Sequence, residues 1–241
     1  MPTIRSINFN YEYPAPIFAS TVEKETKMKI GFVGAGGMAK ALAGKWARAH
    51  EIMLSGRDLD KTRQAALDIG VESGTAQEAV AFADVVVLAT RWEDVFTAIE
   101  AAGGPAVFEG KTVIDINNPV SIETFLTTRE AGQSLTEAIA EALPGAVVGK
   151  AFNMAQVAVW EDPNMTYDGR QMVTLYTADS AADASIAQLI SDVGAEPLRL
   201  GDNAHAYQLE AAAAIVIKFL FAGGDPHTIF NFIRPETKPV R

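Results

Sequence analysis

The pattern of apolar and polar positions divides the chain into short blocks. Ile30, Phe32 and Val33 form a brief apolar run that breaks at 34–39, and helical spacing then carries Met38, Leu42 and Trp46. A second run, Ile52 to Leu54, stops at Ser55-Gly56-Arg57. Strand, glycine turn, helix and strand thus occupy about the thirty residues of a βαβ unit. The spacing next predicts a helix over about 60–68, a short strand near Val71 and a helix start at Thr75. The continuous β-branched run Asp84 to Ala89 reads as a strand buried on both faces of a parallel sheet. Helical spacing returns over 93–100. Thr112 to Ile116 is the next buried strand, ending in Asn117-Asn118-Pro119. Residues 121–143 are helix-prone with an interruption around Gly132, and 146–148 is a further strand.

Strands alternating with helices over 28–153 give an α/β class, a doubly wound parallel sheet. From 154 to 241 the pattern changes to a smaller α+β C-terminal portion, the expected side of the acceptor of any chemistry done at the strand ends. Strands are predicted at Val173–Thr177 and Glu196–Leu200, with an alanine-rich helix over 181–193 between them. A long helix over 204–221 is nearly apolar from 211 to 219, and 228–233 forms a last amphipathic segment. A helix apolar on most faces must be covered; a core position and a homodimer interface both satisfy this one. Residues 1–27 form an N-terminal extension without the apolar core of a secretory signal. A flexible tail, an arm docked on a neighbour through Phe9, Tyr11, Tyr13 and Phe18, and a start codon assigned too early are all compatible with it.

The glycine break has a chemical reading. Gly34 allows the tight turn off the strand, Gly36 lets the backbone approach a pyrophosphate, and Ala39 is small enough for the helix to pack on the sheet. The free N–H groups and dipole of the helix start, with Ala35, Gly37 and Met38, favour phosphate charge. These are the parts of a Rossmann dinucleotide site. The end of the second strand selects the dinucleotide. NAD sites place a carboxylate about 20 residues past the glycines for the ribose 2′-OH. Here Ser55, Gly56 and Arg57 stand instead, and a guanidinium beside a small hydroxyl suits the 2′-phosphate of NADP. Asp58 argues mildly the other way.

Composition narrows the partners. With 49% hydrophobic and 21% charged residues the chain has the make-up of a soluble globular protein. A formal net charge of −10 gives no footprint for nucleic acid or anionic membrane. The chain has no cysteine, which removes thiol nucleophiles and thiolate metal sites and fits a cytoplasmic setting. Three scattered histidines lack metal-ligand spacing, and no uninterrupted apolar run reaches the roughly 18 residues of a membrane span.

In an open parallel sheet ligands lie beyond the carboxyl ends of the strands. Thr90, Arg91 and Trp92 are therefore expected at the cofactor's midsection, and Asn117, Asn118 and Pro119 near the nicotinamide. Residues 150–155 are expected at a fifth strand end. No acid/base constellation is visible: His205 reads as either a catalytic or a structural histidine, and Lys150 as either a proton donor or a surface residue. Hydride transfer between two bound rings depends on positioning above all, so the gap fits that chemistry.

With the strand ends assembled, the chain resembles the coenzyme F420-dependent NADP oxidoreductase family, which includes the cytoplasmic domains of the STEAP metalloreductases. The matching stretches are KIGFVGAGGMAKAL, HEIMLSGRD, ADVVVLATRWEDV, VIDINNP, VGKAFN and DVGAEPLRLGD. The resemblance implies NADP on Gly34 to Ala39 and on Ser55 to Arg57, with the nicotinamide near Asn118 and Pro119. It also implies a deazaflavin (coenzyme F420) or flavin stacked beside Asn153, Met154 and Ala155, direct hydride transfer, and a dimer. Arg91 stands where the family commonly has a proline, and Met154-Ala155-Gln156 stand where the archaeal deazaflavin enzymes carry one against the ring. The first stretch is also similar to pyrroline-5-carboxylate reductase, an imine reductase whose second domain is helical, unlike the strands expected after residue 172.

Overall fold

The computed structural model describes residues 26–230. An eight-stranded sheet runs through the whole of it. In chain order the elements are β1 (Lys29–Val33), α1 (Gly37–Trp46), β2 (Glu51–Ser55), α2 (Leu59–Ile69), β3 (Glu72–Gly74) and α3 (Ala76–Phe82). There follow β4 (Val85–Leu88), α4 (Val95–Ala101), β5 (Thr112–Asp115), α5 (Leu135–Ala142), β6 (Val147–Lys150) and α6 (Val157–Glu161). The C-terminal portion adds β7 (Thr166–Tyr167), β8 (Arg170–Gln171), β9 (Val173–Ala178), α7 (Asp183–Asp192), β10 (Glu196–Gly201) and α8 (Ala206–Phe221).

The sheet order is β10-β9-β6-β5-β4-β1-β2-β3, with β7 and β8 in a separate hairpin. From β3 to β6 all neighbours are parallel. β9 joins β6 antiparallel and β10 runs parallel to β9, so the C-terminal strands extend the same sheet. β1 lies between β2 and β4, which makes it the strand where the winding reverses. A crevice opens at that point because the connections leave to opposite sides.

Strand side chains alternate faces with period two, and two cores result. Ile30, Phe32, Val85, Val87 and Ile114 meet α1, α2 and α7 on one face. Val33, Val86, Leu88 and Val113 meet α3, α4 and α5 on the other. The first core closes over an aromatic chain, Phe32–Trp46–Phe152–Trp160, with adjacent centroids 5.8, 5.4 and 5.3 Å apart.

Three expectations change. Residues 121–131 are not helical: Phe125 adopts φ 58°, Val120 bridges Thr127, and Ser121 and Pro119 carbonyls accept the returning N–H groups of Phe125 and Thr128. The capping box of Ser134 and Glu137 then starts α5. The 3₁₀ turn Asn203–His205 and α8 together make a 19-residue segment, Asn203–Phe221, long and apolar enough by length and composition to cross a membrane. Glu210 in its middle is nevertheless ion-paired and fully buried in the fold. Finally, 228–230 carry no regular structure, while 231–233 and nearly all of the N-terminal extension lie outside the described residues.

Candidate active site

The turn after β1 is backed tightly on one side and open on the other. Gly34 has φ +119°, and a Cβ there would stand 2.2 Å from the Ala89 carbonyl oxygen, so only glycine fits. Gly36 precedes α1 with φ −76°, and a Cβ built on it would meet nothing within 4 Å. That emptiness is the space a phosphate needs to reach the backbone. Like α4, α6, α7 and α8, α1 has no side-chain cap, and no acidic residue stands in its first turn. Its first N–H groups face the open side of the Gly36 turn with no capping side chain on them. Gly37 packs on Val157, Met38 lines the cleft, and Ala39 is buried against the sheet, where it serves packing alone.

Beside the turn lies a cleft of about 540 Å³ lined by Gly34 to Gly36, Ser55 to Arg57, Thr90, Arg91, Asp94 and one side of α4. Ser55 is buried and its hydroxyl donates to the Phe32 carbonyl at 2.7 Å. It thus keeps the strand end small and supplies no free donor. Arg57 projects into solvent, 87% exposed, with its guanidinium 3.4 Å from Asp94 across the cleft mouth. Asp58 is accounted for by the fold. Its carboxylate caps α2, accepting from the Lys61 N–H at 3.1 Å and pairing with the Lys61 ammonium at 3.2 Å. Those hydrogen bonds hold its pKa below the ordinary carboxylate value, and the side chain does not line the cleft.

The trough continues past Gly36, Ala89, Thr90 and Arg91 into a wider section of about 830 Å³ that Trp92, Asn117 and Asn118 also line. The Thr90 hydroxyl is buried there without a partner, and Arg91 is 3.5 Å from Glu93. Asn117 is fixed twice, donating to the Leu88 carbonyl and to Asp115 Oδ1, both at 2.9 Å. Asn118 reaches instead to the loop after β6 and donates to the Asn153 carbonyl at 2.8 Å. Pro119 does not line the trough; its carbonyl accepts from Thr128.

A third section of about 260 Å³ adjoins this one through Met38, Ile116, Asn118, Val157 and Ile217. Asn153, Met154 and Ala155 form one side, and Ala213, Val216 and Leu220 of α8 the other. Among the described residues that line it, none is ionisable. Sequence reasoning missed Asp94, and it put the acceptor side in residues 154–241 without naming Val157 or the α8 wall. The i, i+3, i+7 spacing of Ala213, Val216 and Leu220 was available to find the last.

Neither candidate proton donor reaches this trough. His205 is exposed and pairs with Asp202 at 3.0 Å. Lys150 is fully buried, which overturns the expectation of a surface residue: its ammonium lies 2.7 Å from Asp115 Oδ2, 2.6 Å from the Asn117 carbonyl and 3.2 Å from Glu210 Oε1. All three of its protons have takers.

Residues 29–119 match the family described as NADP oxidoreductase, coenzyme F420-dependent. The crystal structure of a candidate F420-dependent NADP reductase from Arthrobacter sp. FB24 is similar over 86% of this chain and 100% of that one, with a TM-score of 0.76 and 27% identity. A hypothetical protein from Sinorhizobium meliloti is similar over 85% of this chain and 96% of its own, with a TM-score of 0.64 and 25% identity. A reductive aminase from Aspergillus terreus, in complex with NADPH4, shares the fold at a TM-score of 0.60 and 21% identity, over 82% of this chain and 63% of that one. No curated protein sequence matches the chain.

Proposed function

We propose, for a chain whose residues 29–119 match the coenzyme F420-dependent NADP oxidoreductase family, that it transfers hydride between NADP(H) and a small redox acceptor. The observation that carries this reading is one continuous trough. It runs from Arg57 past the bare backbone at Gly36 to Asn117 and Asn118, and opens into an apolar pocket against α8.

The residues present fit the cofactor. Gly36 and the uncapped start of α1 would hold the diphosphate, and the Gly34 bend keeps that backbone in place. Arg57 would meet the 2′-phosphate, where a bidentate guanidinium is worth more than a point charge. Asn117 and Asn118, on a rigid turn, would orient the nicotinamide amide. When bound, the nicotinamide supplies the hydride and accepts it back. The protein contributes alignment and exclusion of water, since an apolar wall strengthens every polar contact made beside it.

The acceptor seats between Asn153–Ala155 and the α8 wall. A deazaflavin would accept hydride at C5 and a flavin at N5, and the reduced ring can stay anionic at N1 or take its proton there from solvent, so the transfer needs no protein proton donor at the accepting atom. The neutral lining favours an acceptor whose reactive body is uncharged. A carbonyl or imine reductase of the pyrroline-5-carboxylate type would require a donor that neither Lys150 nor His205 supplies. On α8, Ile215 and Phe219, one turn apart on the same face, are exposed, which supports a homodimer through this face; light scattering at micromolar concentration tests it.

The test of the function is NADPH oxidation with a panel of riboflavin, FMN and a deazaflavin. Turnover with any of them, faster with NADPH than NADH, is expected. NADPH binding without turnover on any ring acceptor would leave a nucleotide-binding protein and contradict the transfer reading.

A further inference from the structure

The buried ammonium of Lys150 is the hub of a network with one outlet to the trough. Asp115 Oδ2 accepts from Lys150 and from the Thr136 hydroxyl, at 2.7 and 2.8 Å. Its Oδ1 accepts from both the N–H and the side-chain amide of Asn117, at 2.9 Å each. Glu210 Oε1 accepts from the Leu135 N–H at 2.9 Å and faces Lys150 at 3.2 Å. The side chains of Lys150, Asp115 and Glu210 are fully buried. β5, β6, α5 and α8 each contribute to this network, and Asn117 alone of them opens onto the trough.

Burying one cation with two carboxylates is a poor way to stabilise a fold, since desolvation offsets most of the attraction. Such a cluster fixes geometry better than it adds stability. A second tie joins the same segments: Asn153 donates to the carbonyl of Leu209, the residue before Glu210, at 3.1 Å. The step Leu209–Glu210 is thereby anchored both to the turn that carries Asn117 and Asn118 and to the loop that carries Asn153. One turn further along α8 the acceptor wall begins at Ala213.

We propose that Glu210 is a positioning residue: acting through Lys150, it sets the Asn117–Asn118 turn against α8 and so holds the nicotinamide half of the cofactor. This rests on the cofactor reading above. Glu210 works as a strut of fixed length, through Oε1. Burial, and after it the charge of Asp115, raise its pKa from the ordinary carboxylate value despite the opposing charge of Lys150, in keeping with a strut that need not be ionised. A strut is sensitive to length and tolerant of lost charge.

The test compares Glu210→Gln with Glu210→Asp in the full chain, measuring dissociation constants for NADPH and for 2′,5′-ADP, which lacks the nicotinamide half. Glu210→Gln keeps the reach and an acceptor oxygen, and is expected to bind both ligands within about twofold of wild type. Glu210→Asp shortens the strut by one methylene. It is expected to weaken NADPH about tenfold, with 2′,5′-ADP unchanged. Equal NADPH binding by the aspartate variant and wild type, a parallel loss of both ligands, or an equal loss in the glutamine variant would overturn the proposal. Wild-type protein that binds neither ligand would instead refute the cofactor reading.

Discussion

Asn118 and Asn153 bind each other reciprocally: the Asn118 amide donates to the Asn153 carbonyl at 2.8 Å, and the Asn153 amide donates to Asn118 Oδ1 at 2.9 Å. Thirty-five residues apart in sequence, they join the ends of β5 and β6 at the junction of the trough's two inner sections. Asn153→Ala removes that amide and with it two hydrogen bonds, to Asn118 Oδ1 and to the Leu209 carbonyl. A hydrogen bond contributes about 0.5–1.5 kcal/mol net. Urea unfolding should therefore show a loss of about 1–3 kcal/mol, with an unchanged m-value.

Gly34 and Gly36 separate structural from binding roles. Gly34→Ala places a methyl 2.2 Å from the Ala89 oxygen at φ +119°. Strain and overlap together should lower stability by about 3 kcal/mol or more. Gly36→Ala meets open space at an ordinary φ. Its stability should stay within about 1 kcal/mol of wild type, while NADPH affinity drops because the methyl occupies the phosphate's approach. Thermal melts paired with titration calorimetry on both variants check this.

The two partners of the Arg57–Asp94 pair predict opposite effects on NADPH binding. Arg57→Ala should weaken NADPH by about 1–3 kcal/mol, the scale of a charged hydrogen bond, and leave NADH nearly unchanged. Asp94→Asn frees the guanidinium and removes a negative charge from the cleft mouth. The pair is exposed at 3.4 Å, so the gain in NADPH affinity should be modest, about two- to fivefold, and should shrink in high salt.

Glu210 also predicts a pH dependence of stability. Its pKa is raised in the folded state from 4.5, first by burial and then by the charge of Asp115, against the opposing charge of Lys150. A proton held more tightly by the native chain stabilises it below about pH 4.5, and that contribution is lost as pH rises toward the folded-state pKa. Leu135 and Thr136 of α5 add only uncharged donors to the cluster. From pH 5 upward, Glu210→Gln should therefore gain stability relative to wild type in chemical denaturation series. A difference that stays flat with pH would contradict the assignment.

Much of the fold was legible because the relevant signals are local. The β-branched runs gave β4 and β5, the Thr75 and Ser134 capping boxes mark helix starts that the structure shows, and the glycine turn gave the β1–α1 junction. Signals that depend on distant partners were not legible. Lys150 follows a valine run and reads equally well as a surface residue, because Asp115 and Glu210 become its neighbours only once β5 and α8 are in place. The helical tendency of 121–131 is overridden by the left-handed Phe125, whose ring packs 5.5 Å from Phe221 of α8. The β7–β8 hairpin was missed although its turn, Asp168-Gly169, carries the paired positive φ angles of 52° and 73° that such a dipeptide favours. Within the site, Ser55 and Asp58 kept their places but not their expected partners, since a strand carbonyl and a helix start had already claimed them.

The most direct measurement is a crystal structure of the full chain soaked with NADP. The account predicts diphosphate density on the backbone N–H groups at Gly36 to Met38, the 2′-phosphate within hydrogen-bond reach of Arg57, and the nicotinamide beside Asn117 and Asn118. Density for the dinucleotide elsewhere, or a bound cofactor with Arg57 still turned away to Asp94, would contradict it.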